Sequence, residues 1–189
     1  MYYLIENIND YHYNENDLLL LKKEKKKEIK KRRNILDQKR SLLGELLLIK
    51  GLKEFYNINY NDIKIKYNSY GKPYIDNNPI YYNISHKGDY VICVFSNYQI
   101  GVDIEVIKDI NINLINYIAS EEEKDYILEN KDLINQRFFT IYTKKEAYFK
   151  MIGQDLKRIK EINIQKQNII YNTIFMNNYV ISICQKTSH

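Results

Sequence analysis

Read from its N-terminus, the chain alternates between short apolar runs of period two and longer runs with the period of a helix. Residues 1–6 (MYYLIE) predict a first strand. Residues 15–33 predict a helix, apolar where it begins and basic where it ends, which suits the helix dipole. Over 35–56, Ile35, Leu42, Leu43, Leu46, Leu47, Ile49 and Leu52 make a broad apolar face and predict a second helix. Short segments follow. Ile63 to Tyr67 has period two, Gly71-Lys72-Pro73 breaks the chain, and Pro79 sets the start of a strand from Ile80 to Ser85. Strands from Asp89 to Ser96 and from Gln99 to Glu105 flank an Asn97-Tyr98 turn.

The second half has the same layout. Ile112 to Ile118 reads as a short helix, and Ser120 with Glu123 has capping-box spacing ahead of another. Leu133 to Ile152 reads as a long helix ending at Gly153, and strands fit 160–165, 168–175 and 178–185. Tyr179-Val180-Ile181-Ser182-Ile183-Cys184 echoes Tyr90-Val91-Ile92-Cys93-Val94-Phe95. The expectation is an α+β fold of two similar subdomains, 1–100 and 101–189. Each would be a small antiparallel sheet with packed helices, in a pseudo-two-fold arrangement and one compact unit.

Composition narrows this reading. With 189 residues, 44% of them hydrophobic, the chain can bury a real core. Cys93 and Cys184 both sit in apolar runs, which predicts reduced core thiols in a cytoplasmic protein. No apolar run approaches a membrane span, and Glu6, Asp10, Glu15 and Asp17 precede the short run Leu18 to Leu21, unlike a signal peptide. Asn, Ile, Lys and Tyr are heavily used throughout, so single surface lysines say little. The charge is uneven. Residues 22–33 (KKEKKKEIKKRR) hold nine Lys/Arg against two Glu, a net of +7, so the remainder carries −2 of the chain's +5. Such a local patch suits one anionic ligand or an acidic partner more than a surface that tracks nucleic acid. A solvated helix face is the plain alternative.

Three segments carry candidate chemistry. In Gly101-Val102-Asp103-Ile104-Glu105 a strand would point Asp103 and Glu105 the same way, where two carboxylates need a proton or a cation. A hard divalent metal is the natural partner, and a polar strand face is the plain reading. In Lys144-Lys145-Glu146-Ala147-Tyr148-Phe149-Lys150, Glu146 and Lys150 are an i,i+4 helical pair. They are either a surface ion pair or a third carboxylate with a cation beside it, a set suited to a metal–diphosphate substrate. In Ser85-His86-Lys87-Gly88, adjacent Ser and His on a strand end point apart, so no Ser/His/Asp triad forms, but the group can hold phosphate oxygens. His12 and His189 receive no role.

Gly71-Lys72-Pro73, Asn83-Ile84-Ser85-His86, Gly101-Val102-Asp103-Ile104-Glu105 and Lys145-Glu146-Ala147 with Lys150 together resemble the 4′-phosphopantetheinyl transferases, in the Sfp-type branch. The match runs from about Lys25 to Gly153. The resemblance implies Mg²⁺-dependent transfer of phosphopantetheine from coenzyme A to a serine of an apo acyl or peptidyl carrier protein, releasing adenosine 3′,5′-bisphosphate. It implies coenzyme A between two similar halves, with Mn²⁺ as an alternative metal. By motif match, Asp103, Glu105 and Glu146 would bind the metal and Lys150 the phosphates. Arg40 and His86 would meet the 3′-phosphate, with Ser85 nearby, and Gly71, Lys72 and Pro73 would lie along the adenine. Glu123 falls where a proposed general base sits, and Glu146 or a metal-bound water are the other choices. The chain departs from the family twice: Tyr142 stands where Trp is usual, and in the basic helix Lys25 is matched but a second lysine falls on Glu28. A monomer with no nucleic-acid or membrane partner is expected. The competing classes are a nucleic-acid-binding module, which leaves the carboxylates unexplained, and a carrier-binding relative without chemistry, against which the intact Asp103, Glu105, Glu146 and Lys150 speak.

Overall fold

A computed structural model describes residues 1–12, 14–154, 159–164 and 168–187. The first half opens with β1 (Tyr2–Asn7) and a 3-10 turn (Glu15–Leu20), then helices α1 (Lys23–Lys30) and α2 (Ile35–Tyr56). A small hairpin follows, β2 (Ile65–Tyr67) with β3 (Pro73–Ile75), and then β4 (Tyr81–Lys87) and β5 (Tyr90–Ser96). The second half runs β6 (Ile100–Val106), α3 (Asn113–Ile118), α4 (Glu121–Leu128), α5 (Ile134–Ile152), β7 (Ile169–Met176) and β8 (Tyr179–Lys186).

All strand pairs are antiparallel, in sheets ordered β1-β5-β4 and β6-β8-β7, with β2-β3 apart. The two echoed segments are the central strands β5 and β8, and their leading residues touch. The Tyr90 and Tyr179 rings meet edge to face at 4.9 Å. Leu43, Leu47, Leu48 and Leu52 of α2 pack on Val91, Cys93 and Phe95. The opposite side of β5, through Ile92 and Val94, joins Ile100, Val102, Ile104, Ile181 and Ile183 in a core that both halves share. The α+β architecture of two similar subdomains is the one expected.

Two local expectations are corrected. The helix over 15–33 is broken at Leu21 and Lys22, both extended. A straight helix would hold Leu18 and Ile29 about 16 Å apart. The bend lets both join Leu21 in one cluster with Leu42. The break at Gly71-Lys72-Pro73 is a turn: Gly71, at φ +81°, reverses the chain so that Tyr67 pairs with Pro73, the first residue of β3. The expected strand over 160–165 is a 3-10 turn at Ile159–Glu161 followed by irregular chain to 164, with 165 outside the described residues. Ile162 and Ile164 pack into two different clusters of helix and sheet residues, so their alternation is satisfied by packing and not by strand pairing. His189 also lies outside the described residues.

Candidate active site

The halves meet where β4 runs beside β6. Asn83 takes the place of a ladder rung, its side-chain oxygen accepting from the Val102 amide at 2.9 Å. Alternation then aims Ser85 and Lys87 at the second half. The Ser85 hydroxyl donates to Asp103 Oδ1 at 3.3 Å, and Lys87 pairs with Glu105 at 2.7 Å. From the opposite side α5 supplies Lys150, whose ammonium donates to Asp103 Oδ1 at 2.6 Å and to Ser85 at 2.9 Å. α5 ends cleanly at Gly153, left-handed at φ +66°, a C-cap that glycine adopts without cost.

Asp103 and Glu146 are both buried. Burial raises the Asp103 carboxyl despite the adjacent Lys150, and Glu105 adds to the rise. Burial and the nearby Asp103 raise Glu146, against a hydrogen bond from Tyr142 and the charge of Lys150. Asp103 Oδ2 is buried with no hydrogen-bond partner among the described residues. The set therefore holds more carboxylate than its cations satisfy, and that suits a further hard cation. Among the described residues no three carboxylates stand together as a ready ligand cage. Lys150 holds Asp103, and Lys87 holds Glu105.

Glu146 and Lys150 also line an open cleft of about 620 Å³ between the halves, with Ser69, Gly71, Lys72 and Pro73 on its other wall. His86, one residue on from Ser85, feels a different neighbourhood. Burial lowers its imidazole, and Arg40, Arg32 and Lys150 lower it further. Arg40 donates to the Gly88 carbonyl at 2.8 Å and pairs with Asp37 at 2.9 Å. Lys25 is further along, between Glu28 at 2.9 Å and Glu45 at 3.2 Å; burial alone would lower it, but the carboxylates outweigh that and raise it.

Of the residues singled out in the sequence, Ser85, Asp103 and Lys150 are in direct contact, with Glu146 and Glu105 close by. Arg40 and His86 form a second group, and Lys25 a third. Glu123 is engaged elsewhere. It closes the capping box with Ser120 and pairs at 2.6 Å with Lys145, which is fully buried and also donates to the Ile118 carbonyl at 2.8 Å. Sequence reasoning gave Asn83 no task and missed the pairing of Lys87 with Glu105. Placing 83, 85 and 87 on one strand face opposite 103 and 105 would have found both. Tyr142 stacks on Phe138 and bonds Glu146 through its hydroxyl, a contact that an indole in its place could make only as a donor of N–H.

Comparison with known proteins agrees with this geometry. The description "4′-phosphopantetheinyl transferase, N-terminal" matches residues 11–97, and "4′-phosphopantetheinyl transferase superfamily" matches residues 99–188. The 4′-phosphopantetheinyl transferase gsp of Aneurinibacillus migulanus is 37% identical over 169 residues, covering 80% of this chain and 70% of that protein. Sfp of Bacillus subtilis (strain 168) is 34% identical over 122 residues, 64% of this chain and 54% of Sfp. HetI of Nostoc is 27% identical over 136 residues, 67% of this chain and 57% of HetI. The chain thus spans about half the length of the Bacillus relatives it matches and more of the Aneurinibacillus one. On both halves and on this identity, the chain belongs to the 4′-phosphopantetheinyl transferase family.

Proposed function

We propose that this protein transfers the 4′-phosphopantetheine group of coenzyme A to a serine of an apo acyl or peptidyl carrier protein and releases adenosine 3′,5′-bisphosphate. The observation that carries the proposal is the contact of Asp103, Ser85 and Lys150 beside Glu146, with Asp103 Oδ2 unpaired among the described residues, at the edge of the cleft between the halves. Asp103, Glu105 and Glu146 would hold Mg²⁺, or Mn²⁺ in its place. Bound there, the metal would neutralise diphosphate charge and so lower the barrier to displacement.

In the reaction the carrier serine oxygen forms a bond to the phosphorus that bears the pantetheine arm. The bond from that phosphorus to the bridging oxygen breaks, and the bisphosphate leaves with that oxygen. Lys150, partly exposed beside Asp103, is placed to meet phosphate charge, and Ser85 orients it through the 2.9 Å bond. Glu146, through a carboxylate oxygen not given to the metal, would accept the serine proton, because Glu123 is already committed to Lys145 and to the start of α4. Arg40 and His86 would receive the 3′-phosphate, with Lys25 available once released from Glu28. Gly71 and Pro73 would border the adenine. The two halves, 1–100 and 101–189, would work as one monomeric unit in the cytoplasm, consistent with two free, buried thiols; no helix among the described residues is long and apolar enough to cross a membrane.

Incubation with coenzyme A, Mg²⁺ and an apo carrier protein, followed by intact mass, should show the carrier heavier by one phosphopantetheine. EDTA should stop the reaction. Glu146→Gln should slow it by about a hundredfold or more. A carrier that keeps its apo mass would refute the transfer, and undiminished transfer in EDTA or by Asp103→Ala would refute the metal assignment.

A further inference from the structure

Lys72 borders the cleft, but its ammonium is turned into the protein. Nζ donates at 2.7 Å to the Met151 carbonyl and at 3.2 Å to the Ile100 carbonyl. Met151 is in the last turn of α5, where carbonyls lack intrahelical partners and the helix dipole is negative. Ile100 is the first residue of β6. One cation from the β2-β3 hairpin of the first half thus bridges two elements of the second. The same hairpin adds a parallel bond, from Asn68 Nδ2 to the Gly153 carbonyl at 2.9 Å, and Asn68 Oδ1 holds the Lys72 amide at 2.9 Å. Burial lowers the Lys72 amine to about 8.

The bridged elements carry the reacting set. Asp103 is on β6, and Glu146 and Lys150 are near the end of α5. The two backbones touch at Gly101, where a Cβ would stand 2.1 Å from the Ala147 oxygen and 2.4 Å from the Met151 nitrogen. No side chain cushions that crossing. A slide of α5 along β6 therefore moves Lys150 and Glu146 directly relative to Asp103.

We propose that Lys72 is a positioning residue, which acts through the carbonyls of Met151 and Ile100 to seat α5 on β6 and so fixes the spacing of Glu146 and Lys150 from Asp103, and does not use its ammonium to hold coenzyme A. The proposal rests on the transfer reading for its consequence in turnover. Its structural content can be tested without chemistry.

Lys72→Met keeps the aliphatic stem and removes the charge and the donors. Three measurements on the full chain decide. Calorimetry with adenosine 3′,5′-bisphosphate should give a Kd within about twofold of wild type, because the ammonium faces away from the ligand. At saturating coenzyme A, kcat should fall about tenfold or more with KM little changed, since small misplacements of reacting groups are costly. Amide hydrogen exchange over 148–153 and 100–103 should quicken. A Kd about tenfold weaker with kcat and exchange unchanged would overturn the proposal in favour of a ligand contact. No change in any of the three would overturn it as well. Should Lys72→Met fail to fold, Asn68→Ala, which removes the parallel bond from the same hairpin, is measured in the same three ways with the same outcomes expected and overturning. Absence of transfer by wild type would count against the function alone, because the exchange measurement needs no turnover.

Discussion

His86 shows how much a single residue's surroundings decide. Burial, then Arg40, Arg32 and Lys150, depress its imidazole below the ordinary value of about 6.5, so it is neutral near pH 7 in the free protein. The unfolded chain therefore binds the extra proton first on acidification, and His86 subtracts stability as pH falls below about 6.5. A phosphate beside it would reverse the shift. Coenzyme A should bind with proton uptake, and more tightly as pH falls toward about 6. Calorimetry in buffers of different ionisation enthalpy should detect that uptake in wild type and lose it in His86→Ala; binding without uptake in wild type would remove His86 from the phosphate site. At this scale the sequence was informative about residue types and poor about partners. Asp103, Glu105, Glu146 and Lys150 could be chosen from motif and spacing, because carboxylates near one another demand a cation. That Lys87 is a cation for Glu105, or that Lys72 faces inward, depends on which strand lies beside which, and no local pattern encodes that.

Among the elements, the start of α4 is the most tightly specified. Ser120 and Glu123 close a capping box, and Glu123 is at once the partner of the fully buried Lys145 of α5. Ser120→Ala should cost about 1 kcal/mol of stability, as loss of a cap does. Lys145→Ala leaves the mostly buried Glu123 carboxylate without its cation and should cost about 3 kcal/mol. Urea denaturation measures both, and equal losses would mean that the pair is better hydrated than its burial indicates. The capping box was legible in the sequence because its two residues are neighbours. The break between Leu21 and Lys22 was not, since periodicity continues across it and only the shared cluster around Leu42 requires the bend. Likewise Ile162 and Ile164 alternate like a strand, yet they pack into clusters built from helix and sheet residues without joining a strand ladder.

At the scale of the molecule, the basic stretch divides into residues already occupied and residues free to act at a distance. Lys25 is held by Glu28 and Glu45, and Arg32 lies close enough to His86 to depress it. Lys30, Lys31 and Arg33 are exposed. If the partner is an acidic carrier, these residues steer it. The double reversal Lys31→Glu with Arg33→Glu should then raise the carrier KM about threefold or more at low salt. The effect should fade as the screening length drops to about 8 Å near physiological ionic strength, with coenzyme A affinity unchanged. An unchanged carrier KM at low salt would make the stretch a solvated surface. The two-part architecture itself was visible in the echo of β5 and β8, since both are central strands whose two faces must be apolar. The seam where β4 meets β6 was not, because unlike edges are joined there by side chains, Asn83 to the Val102 amide, Ser85 to Asp103 and Lys87 to Glu105. That seam bears on symmetry. Two identical chains related by a true two-fold would have to present the same residues to each other. Two copies of one architecture in a single chain are under no such constraint. One half can carry a hydroxyl and a lysine at its edge, Ser85 and Lys87, while the other carries acids, Asp103 and Glu105, so that a repeated fold presents unlike chemistry on the two sides of its own seam.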